Sequence, residues 1–434
     1  MKEVAGKRTP FPRVFWAANS VEVLERFAYY GIYMGFAIYV AHLGFSMGQL
    51  GTIQSFFLFF SYTIPVISGS FADRFGFKKV LLVSYCAYLP SILLLLTTKS
   101  FSGVATTMLL IAISAGTFKP LISGTIRVVT DKTNKTLGFG IFYAMVNIGG
   151  TFGPIVAGKL RAISWDYAFT AAAIAIAVMF LITLLFYKEP PRQIEGYTLG
   201  QKLKEIFLTL KDAKFFTFLV LLGIFFWMPF WIFFNLMPLY VDKSLDTARL
   251  YNEMSGMLGT WLIQHVFAAP DENGVWRILG ETVANTGVFI IVFQIFVSRI
   301  TEKTKPVPTF MTGFAVAGVG MLIAGLAKIT FPALVFLGIA LFAIGEMTCS
   351  PRIQEYITWI APKEKAGLYM GSNFLATGIG AAIGGQLYTR LYGKFVDMGH
   401  PEYVWYMVGI NFILGILAMY IFTRSLGEFK ELEA

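Results

Sequence analysis

Charge is scarce in this sequence, and histidine and cysteine are scarcer still. Of 434 residues only 14% are Asp, Glu, Lys or Arg, with three His and two Cys. A soluble globular domain carries roughly 25% charged residues, so a water-facing surface of ordinary size cannot be built from this chain. His42, His265 and His400 stand far apart near expected helix ends, and no His/Cys/Asp cluster with metal spacing occurs; no metal is expected. Neither a P-loop nor a Gly-x-Ser-x-Gly elbow is present, which argues against an enzyme. Cys86 and Cys349 fall inside apolar stretches and read as small core residues, silent about redox compartment. The opening MKEVAGKRTPFPR is basic, but the apolar stretch after it holds Glu22, Glu25 and Arg26 and no small-residue cleavage site, so no signal peptide is expected.

What remains is apolar and comes in blocks. The composition is 56% apolar with a mean hydropathy of +0.67, and runs such as Phe216–Trp227, Val288–Val297 and Ile410–Ile421 hold no charge. A bilayer core about 30 Å thick needs about 20 mostly apolar helical residues per crossing. The sequence predicts an all-α membrane protein with spans near 11–43, 48–72, 79–98, 102–128, 137–159, 166–187, 214–242, 278–299, 307–327, 331–360, 366–390 and 403–424. With the N-terminus inside, twenty-three of the 35 Lys and Arg fall in cytoplasmic segments and nine in outer ones, while Arg26, Lys119 and Arg352 lie within spans. That asymmetry follows the positive-inside rule. It places both termini in the cytoplasm and removes nucleic acid as an explanation of the net charge of +10. Residues 244–277 are expected to hold an outer interfacial helix, with Leu250, Met254, Met257, Leu258 and Trp261 at helical spacing, then a turn over 271–274.

The longest polar and basic stretch is 188–213. It divides the chain into an N-terminal six-helix bundle (1–187), a cytoplasmic linker (188–213) and a C-terminal six-helix bundle (214–434). The halves echo each other: Asn147 follows Lys119 by 28 residues, and Asn373 follows Glu346 by 27. A six-span unit used twice is the arrangement of major-facilitator transporters, whose site lies between the halves near the midplane. Small residues recur at four-residue spacing at Gly149, Gly153 and Ala157 and at Ala376, Gly380 and Gly384. Such spacing serves either sliding contacts during gating or static close packing.

Charges inside spans carry the chemistry. Each costs about 2.5–3.5 kcal/mol at the bilayer centre even on the lenient insertion scale, so it normally faces a cavity or a partner. Glu22 and Arg26 are spaced for an i,i+4 ion pair, and positions 22, 26, 29 and 33 share one helical face. Glu25 lies roughly 100° around the helix from Arg26. Two carboxylates beside one guanidinium can load and release a proton if the cation partner is exchanged. A fixed pair that only orders the first helix is the competing reading, weakened because a buried pair is usually close to neutral for stability. Lys119 and Glu346 are the other mid-span charges, one in each half.

The segment Glu22-Val-Leu-Glu25-Arg26-Phe27-Ala28-Tyr29-Tyr30-Gly31 matches in full the ExxERFxYYG motif of the proton-dependent oligopeptide transporters, a major-facilitator branch, and the chain resembles that family. Gly69, Asp73, Arg74, Gly76 and Lys78 resemble the loop motif common to the superfamily. Phe142-Tyr143-Ala-Met-Val-Asn147-Ile-Gly149 is similar to the family's FYxxINxG, Gly116–Pro120 to its Lys-Pro segment, and Gly345-Glu346 with Ser350-Pro351 to its GEL…SP. The resemblance implies a twelve-helix fold of two six-helix bundles and a proton-coupled symporter of small peptides or peptide-like amino compounds. It implies Glu22, Glu25, Arg26 and Lys119 as the proton-coupling set, Lys119 as the partner of a substrate carboxylate and Glu346 as that of its amino group. Tyr29, Tyr30, Tyr62, Tyr143, Asn147, Trp227 and Ser350 occupy positions that line the family's pocket.

Three positions depart from the family. Tyr33 stands where an arginine is usual, Trp231 where a glutamate is, and Asn373 where a tryptophan is. Losing one cation and one anion together leaves the pocket near charge balance but less polar. A proton-coupled carrier of another solute, such as a hydrophobic amine, a drug or an organic anion, is therefore the alternative. A non-transporting receptor is a third reading that a flux assay separates. The expected protein is a monomer in the inner (plasma) membrane. It takes a small-molecule or peptide substrate, has protons as its coupling ion, and needs no cofactor.

Overall fold

Glycine, proline and capping side chains punctuate the apolar runs, and the helices start and stop on them. The computed structural model describes residues 9–131, 133–190, 199–362 and 365–429; the side chains of Asp73, Thr136, Lys202 and Ala366 also lie outside the description. One bundle holds span one (Arg13–His42), two (Met47–Phe75), three (Phe77–Thr97), four (Phe101–Val129), five (Lys135–Arg161) and six (Trp165–Phe186). A linker helix, Leu199–Thr209, leads to span seven (Ala213–Ser244), eight (Gly280–Thr301), nine (Pro306–Leu326), ten (Leu334–Ile360), eleven (Ala366–Asp397) and twelve (Tyr403–Leu426). Among the described residues, ten of these are long and apolar enough to cross a bilayer. The other two are span one, diluted by its charges, and span eleven, diluted by glycines and hydroxyls. Span one begins, span twelve ends and the linker helix lies on one face, called here the terminal face; the opposite one is the far face.

Local chemistry explains the boundaries. Ser46 and Gln49 form a capping box at the start of span two, side chain to backbone in both directions at 3.2 and 2.9 Å. Gly76, at φ +93°, closes span two and opens span three, a conformation glycine adopts without strain. The Glu189 carboxylate accepts from Phe77 N and Lys78 N at 2.7 and 2.8 Å, where the positive end of span three favours an anion. Lys78 Nζ reaches Leu184 O at 2.8 Å. Gly69 and Arg74 sit in the last turns of span two, with Arg74 over the Phe75 ring, and the Asp73 side chain is among those not described. In span seven one turn widens to a π-helix at Gly223–Trp227, where Pro229 has no N–H to return to the preceding turn.

The far face carries a segment of its own. Asp246 caps a helix over Thr247–Leu258 that buries Leu250 and Met254. Beyond it, Ala268–Pro270 pairs antiparallel with Trp276–Ile278, and the Asp271 carboxylate holds the turn through Asn273 N, Val275 N and Arg277 Nε. The hydrogen bond from Arg277 draws that carboxyl below its ordinary range. The helix carries Leu250 to Leu258 as expected but stops at Gly259 (φ +90°), so Trp261 falls outside it. The turn over 271–274 lies where the sequence placed it, and the hairpin, three residues a strand, is shorter than strand periodicity can announce.

Within the first bundle span one packs on five and six, and three on four and six; within the second, ten packs on nine and seven on eleven. Added Cβ atoms at Gly149 and Gly153 would strike Val23 O and Phe27 O, and one at Gly380 would strike Gly223 O. Both small-residue stripes therefore pack closely inside their own bundle, span five on one and eleven on seven. The bundles meet along spans two and eleven and along five and eight.

Candidate functional site

Span one brings the first charges together. Arg26 Nε lies 2.7 Å from Glu22 Oε1, and its Nη1 lies 3.2 Å from Glu25 Oε2. Both carboxylates are fully buried, and Tyr88 of span three donates to Glu25 at 3.5 Å. Span four adds Lys119, whose ammonium lies 4.9 Å from the Tyr29 ring centre and 4.6 Å from that of Tyr62, with Ser61 O at 3.5 Å. Two carboxylates and two cations thus balance within one bundle. Aromatic faces and a carbonyl replace part of the water that Lys119 has lost. No ion pair binds Lys119 among the described residues, which leaves it available to an anion arriving from the cavity.

That cavity, about 480 Å³, lies between the bundles, within the 300–1,000 Å³ usual for small-molecule sites. From the first bundle Arg26, Tyr30, Tyr62, Lys119, Tyr143 and Asn147 line it. From the second come Trp227, Trp231, Glu346, Ser350 and Asn373. Trp227 Nε1 donates to Asn373 Oδ1 at 3.2 Å, joining spans seven and eleven. Glu346 Oε2 and the Trp231 indole N–H are buried with no hydrogen-bond partner among the described residues. An acceptor and a donor that the protein itself does not pair thus face one chamber, open to water or a polar ligand.

Tyr29 and Tyr33 stand behind the wall instead of in it. Tyr29 is 1% exposed under Lys119; Tyr33 is 3% exposed, stacks on Phe57 at 4.9 Å and donates to Asn235 Oδ1 across the bundles. The row of span one that faces the cavity is Arg26, Tyr30 and Met34, four residues apart. Glu22 and Tyr29 point into the bundle, while Tyr33 points across the seam to span seven. Sequence reasoning also passed over Phe230 and Phe234, which continue the Trp227/Trp231 stripe into the cavity. It passed over Asn285 and Thr286 as well, although a polar pair inside an apolar run was a usable signal. Span eight is broken there, between Gly280–Val283 and Gly287–Thr301. Asn285 Oδ1 accepts from Gly287 N at 3.0 Å, and its Nδ2 donates to Thr151 O of span five at 2.8 Å.

The seam is bonded toward the far face. Arg161 of span five reaches Glu281 of span eight at 2.5 Å and Asp242 of span seven at 3.0 Å. The Lys159 ammonium donates to the carbonyls of Gln264 and Ala268. Gln54 bonds Asn235 O at 3.0 Å and Thr389 at 3.2 Å, and Ser55 bonds Ala382 O at 2.7 Å. Among the described residues no hydrogen bond or ion pair joins the two bundles at the terminal face. On that side Leu137 and Tyr143 of span five and Phe293 and Ile300 of span eight are exposed. On its far-face side the cavity is closed by the bonds of Arg161, Gln54 and Ser55.

Two six-helix bundles around a central chamber, closed on one side, define a membrane transporter and not an enzyme. The profile described as Major Facilitator Superfamily matches residues 20–269 and 278–431, and the chain belongs to that superfamily. Full-length likenesses include a Na(+), Li(+), K(+)/H(+) antiporter of Planococcus maritimus, 24% identical over 403 residues, 87% of this chain and 86% of that one. Quinolone resistance protein NorA of Staphylococcus aureus is 22% identical over 395 residues, 91% of this chain and 92% of that one. Dipeptide and tripeptide permease A of Escherichia coli is 29% identical over 192 residues, 43% of this chain and 38% of the permease. Among solved structures, a POT family transporter in complex with 5-aminolevulinic acid superposes with a TM-score of 0.73 at 21% identity, over 96% of this chain and 97% of that one. An auto-inhibited POT family peptide transporter gives 0.74 at 17%, over 97% and 98%. At these identities the structural likeness establishes the fold.

Proposed function

We propose that this protein is a proton-coupled symporter of small peptides or peptide-like amino compounds, working by alternating access. The observation that carries the proposal is the pairing of Lys119 and Glu346, one from each bundle, in a single aromatic cavity. A zwitterion needs a cation on one wall and an anion on the other, with apolar faces between. Lys119 also adjoins Arg26 and the carboxylates Glu22 and Glu25. A substrate carboxylate that draws Lys119 away changes the balance of that cluster, and a proton taken up by Glu22 or Glu25 restores it. In this reading protons are the coupling ion and no cofactor takes part. The terminal face is cytoplasmic, the protein sits as a monomer in the inner membrane, and the far-face ion pairs break when the cavity turns outward. Gly69, Asp73, Arg74, Gly76 and Lys78 act at the cytoplasmic hinge between spans two and three.

A second reading is favoured by one observation. The seam position of span one is the neutral pair Tyr33–Asn235, and the cavity wall below it is Trp231, Phe230 and Phe234. That wall suits a hydrophobic amine, and NorA, a resistance protein, is similar over nearly the whole chain. Counterflow with a dipeptide library in proteoliposomes, with hydrophobic amines as competitors, decides between the two. Exchange of a labelled dipeptide supports the first reading, and exchange of amines alone replaces it with the second.

A further inference from the structure

A second cavity, about 540 Å³, opens on the far face, away from the central chamber. Its walls come from both bundles: Phe45, Met47 and Gly48 on one side, and the ends of spans seven and eleven on the other. Three cations line it, Lys243, Arg390 and Lys394, against one carboxylate, Asp397. Only nine of the 35 Lys and Arg belong to far-face segments, so a third of them converge on this pocket. Arg390 and Lys394 stand four residues apart on one helix, where like charges repel, and Lys243 adds a third from the neighbouring span. Lys243 is partly answered by Asp242 at 3.2 Å, but Asp242 also serves Arg161. Arg390 gives its Nε to Gln386 at 3.1 Å, and Gln386 in turn donates to Thr52 of the first bundle at 3.3 Å. Lys394 has no ion pair among the described residues.

We propose that this pocket is an anion site for a phosphate-class group, and that its occupation holds the far face closed. A dianion or phosphodiester there relieves the repulsion between Arg390, Lys394 and Lys243 and fixes the Arg390–Gln386–Thr52 chain that crosses the seam. When the bundles part on the far face, the wall of Phe45 and Met47 leaves and the site is lost. The anion therefore binds one conformation preferentially and shifts the equilibrium toward it. The headgroup of an anionic lipid and free inorganic phosphate share this chemistry, and the site does not depend on what the central cavity carries.

The test uses the full-length purified protein in two arms. In one, the thermal midpoint is measured in detergent with inorganic phosphate against sodium chloride at matched ionic strength. In the other, nanodiscs of phosphatidylcholine are compared with nanodiscs containing phosphatidylglycerol. A rise in midpoint in either arm that disappears in Arg390→Gln/Lys394→Gln supports the site, and the arm that responds names the source of the anion. Both side chains are exposed, so the double variant is expected to fold, and its midpoint in chloride checks this. The proposal is overturned if neither arm raises the wild-type midpoint, or if the rise persists unchanged in the double variant.

Discussion

Arg161 and Glu281 form a two-point ion pair across the seam, Nε to Oε1 at 2.5 Å and Nη2 to Oε2 at 3.0 Å. Glu281 is 1% exposed, so the pair is largely out of water. Removing one member of a buried pair costs about 3–5 kcal/mol because the other is left charged and alone. In a protein that must open on this side, the cost is expected to appear first as a shift toward the far-face-open state. Arg161→Ala should speed far-face labelling of a cysteine placed at Thr151, in a background lacking Cys86 and Cys349. Arg161→Ala/Glu281→Gln should recover part of the wild-type behaviour, with a coupling of about 0.5–3 kcal/mol between the two sites. Identical labelling in wild type and Arg161→Ala would remove the pair from the gate.

Proton coupling is expected to need both Glu22 and Lys119 of the first-bundle cluster. An inward gradient of one pH unit supplies about 1.4 kcal/mol, a tenfold accumulation for each proton carried. Glu22→Gln should abolish uphill uptake into proteoliposomes while counterflow continues, because exchange needs no net proton movement. Lys119→Ala should do the same and also weaken substrate binding. A protonophore should reduce wild-type uptake to the level of either variant. Gradient-driven accumulation that survives both substitutions would end this mechanism.

The charges that no lipid would tolerate were legible in the sequence. Glu22, Glu25, Arg26, Lys119 and Glu346 stand out because each interrupts an apolar run, and spans four, five, ten and eleven carry Lys119, Asn147, Glu346 and Asn373 at matching places of the two halves. Register between distant segments was not legible. Arg161, Asp242 and Glu281 each look like an ordinary charge flanking a span, and only the packing of spans five, seven and eight brings them within 3.0 Å or less. The orientation of span one was half legible. Helical spacing groups 22, 26, 29 and 33, but it does not say which edge of that stripe meets the cavity, and Tyr30 proves to face it while Tyr33 does not.

Glycines at two kinds of contact should behave differently. Gly153 packs on Phe27 inside the first bundle, whereas Gly51 packs on Gly385 O across the seam. Gly153→Ala forces the same two helices apart in every state and is expected to lower the thermal midpoint by the equivalent of about 1–3 kcal/mol, without altering far-face labelling. Gly51→Ala should instead penalise the far-face-closed state and increase that labelling. If Gly153→Ala changes state preference and Gly51→Ala does not, the assignment of rigid and moving contacts is reversed.

Substrate choice turns on Glu346. Its Oε2 is buried without a partner among the described residues, and the surrounding wall of Trp227, Trp231, Phe230 and Phe234 offers aromatic faces but no second carboxylate. An ammonium group entering the cavity therefore has one anionic place to go. Glu346→Gln should weaken small peptides with hydrophobic side chains by roughly 1.5–3 kcal/mol, the worth of a charge-assisted bond, or about 10- to 150-fold. The same change should hardly touch a competitor whose amino group is acetylated, because that competitor never used the charge. Acidic and basic side chains should compete poorly against wild type, since Tyr33 and Trp231 supply no counter-charge for them. Competition curves for each peptide and its N-acetylated form, on wild type and Glu346→Gln, measure all of this at once. Equal affinity of the free and acetylated peptides for wild type would defeat the zwitterion reading and leave a carrier of another solute as the function of this cavity.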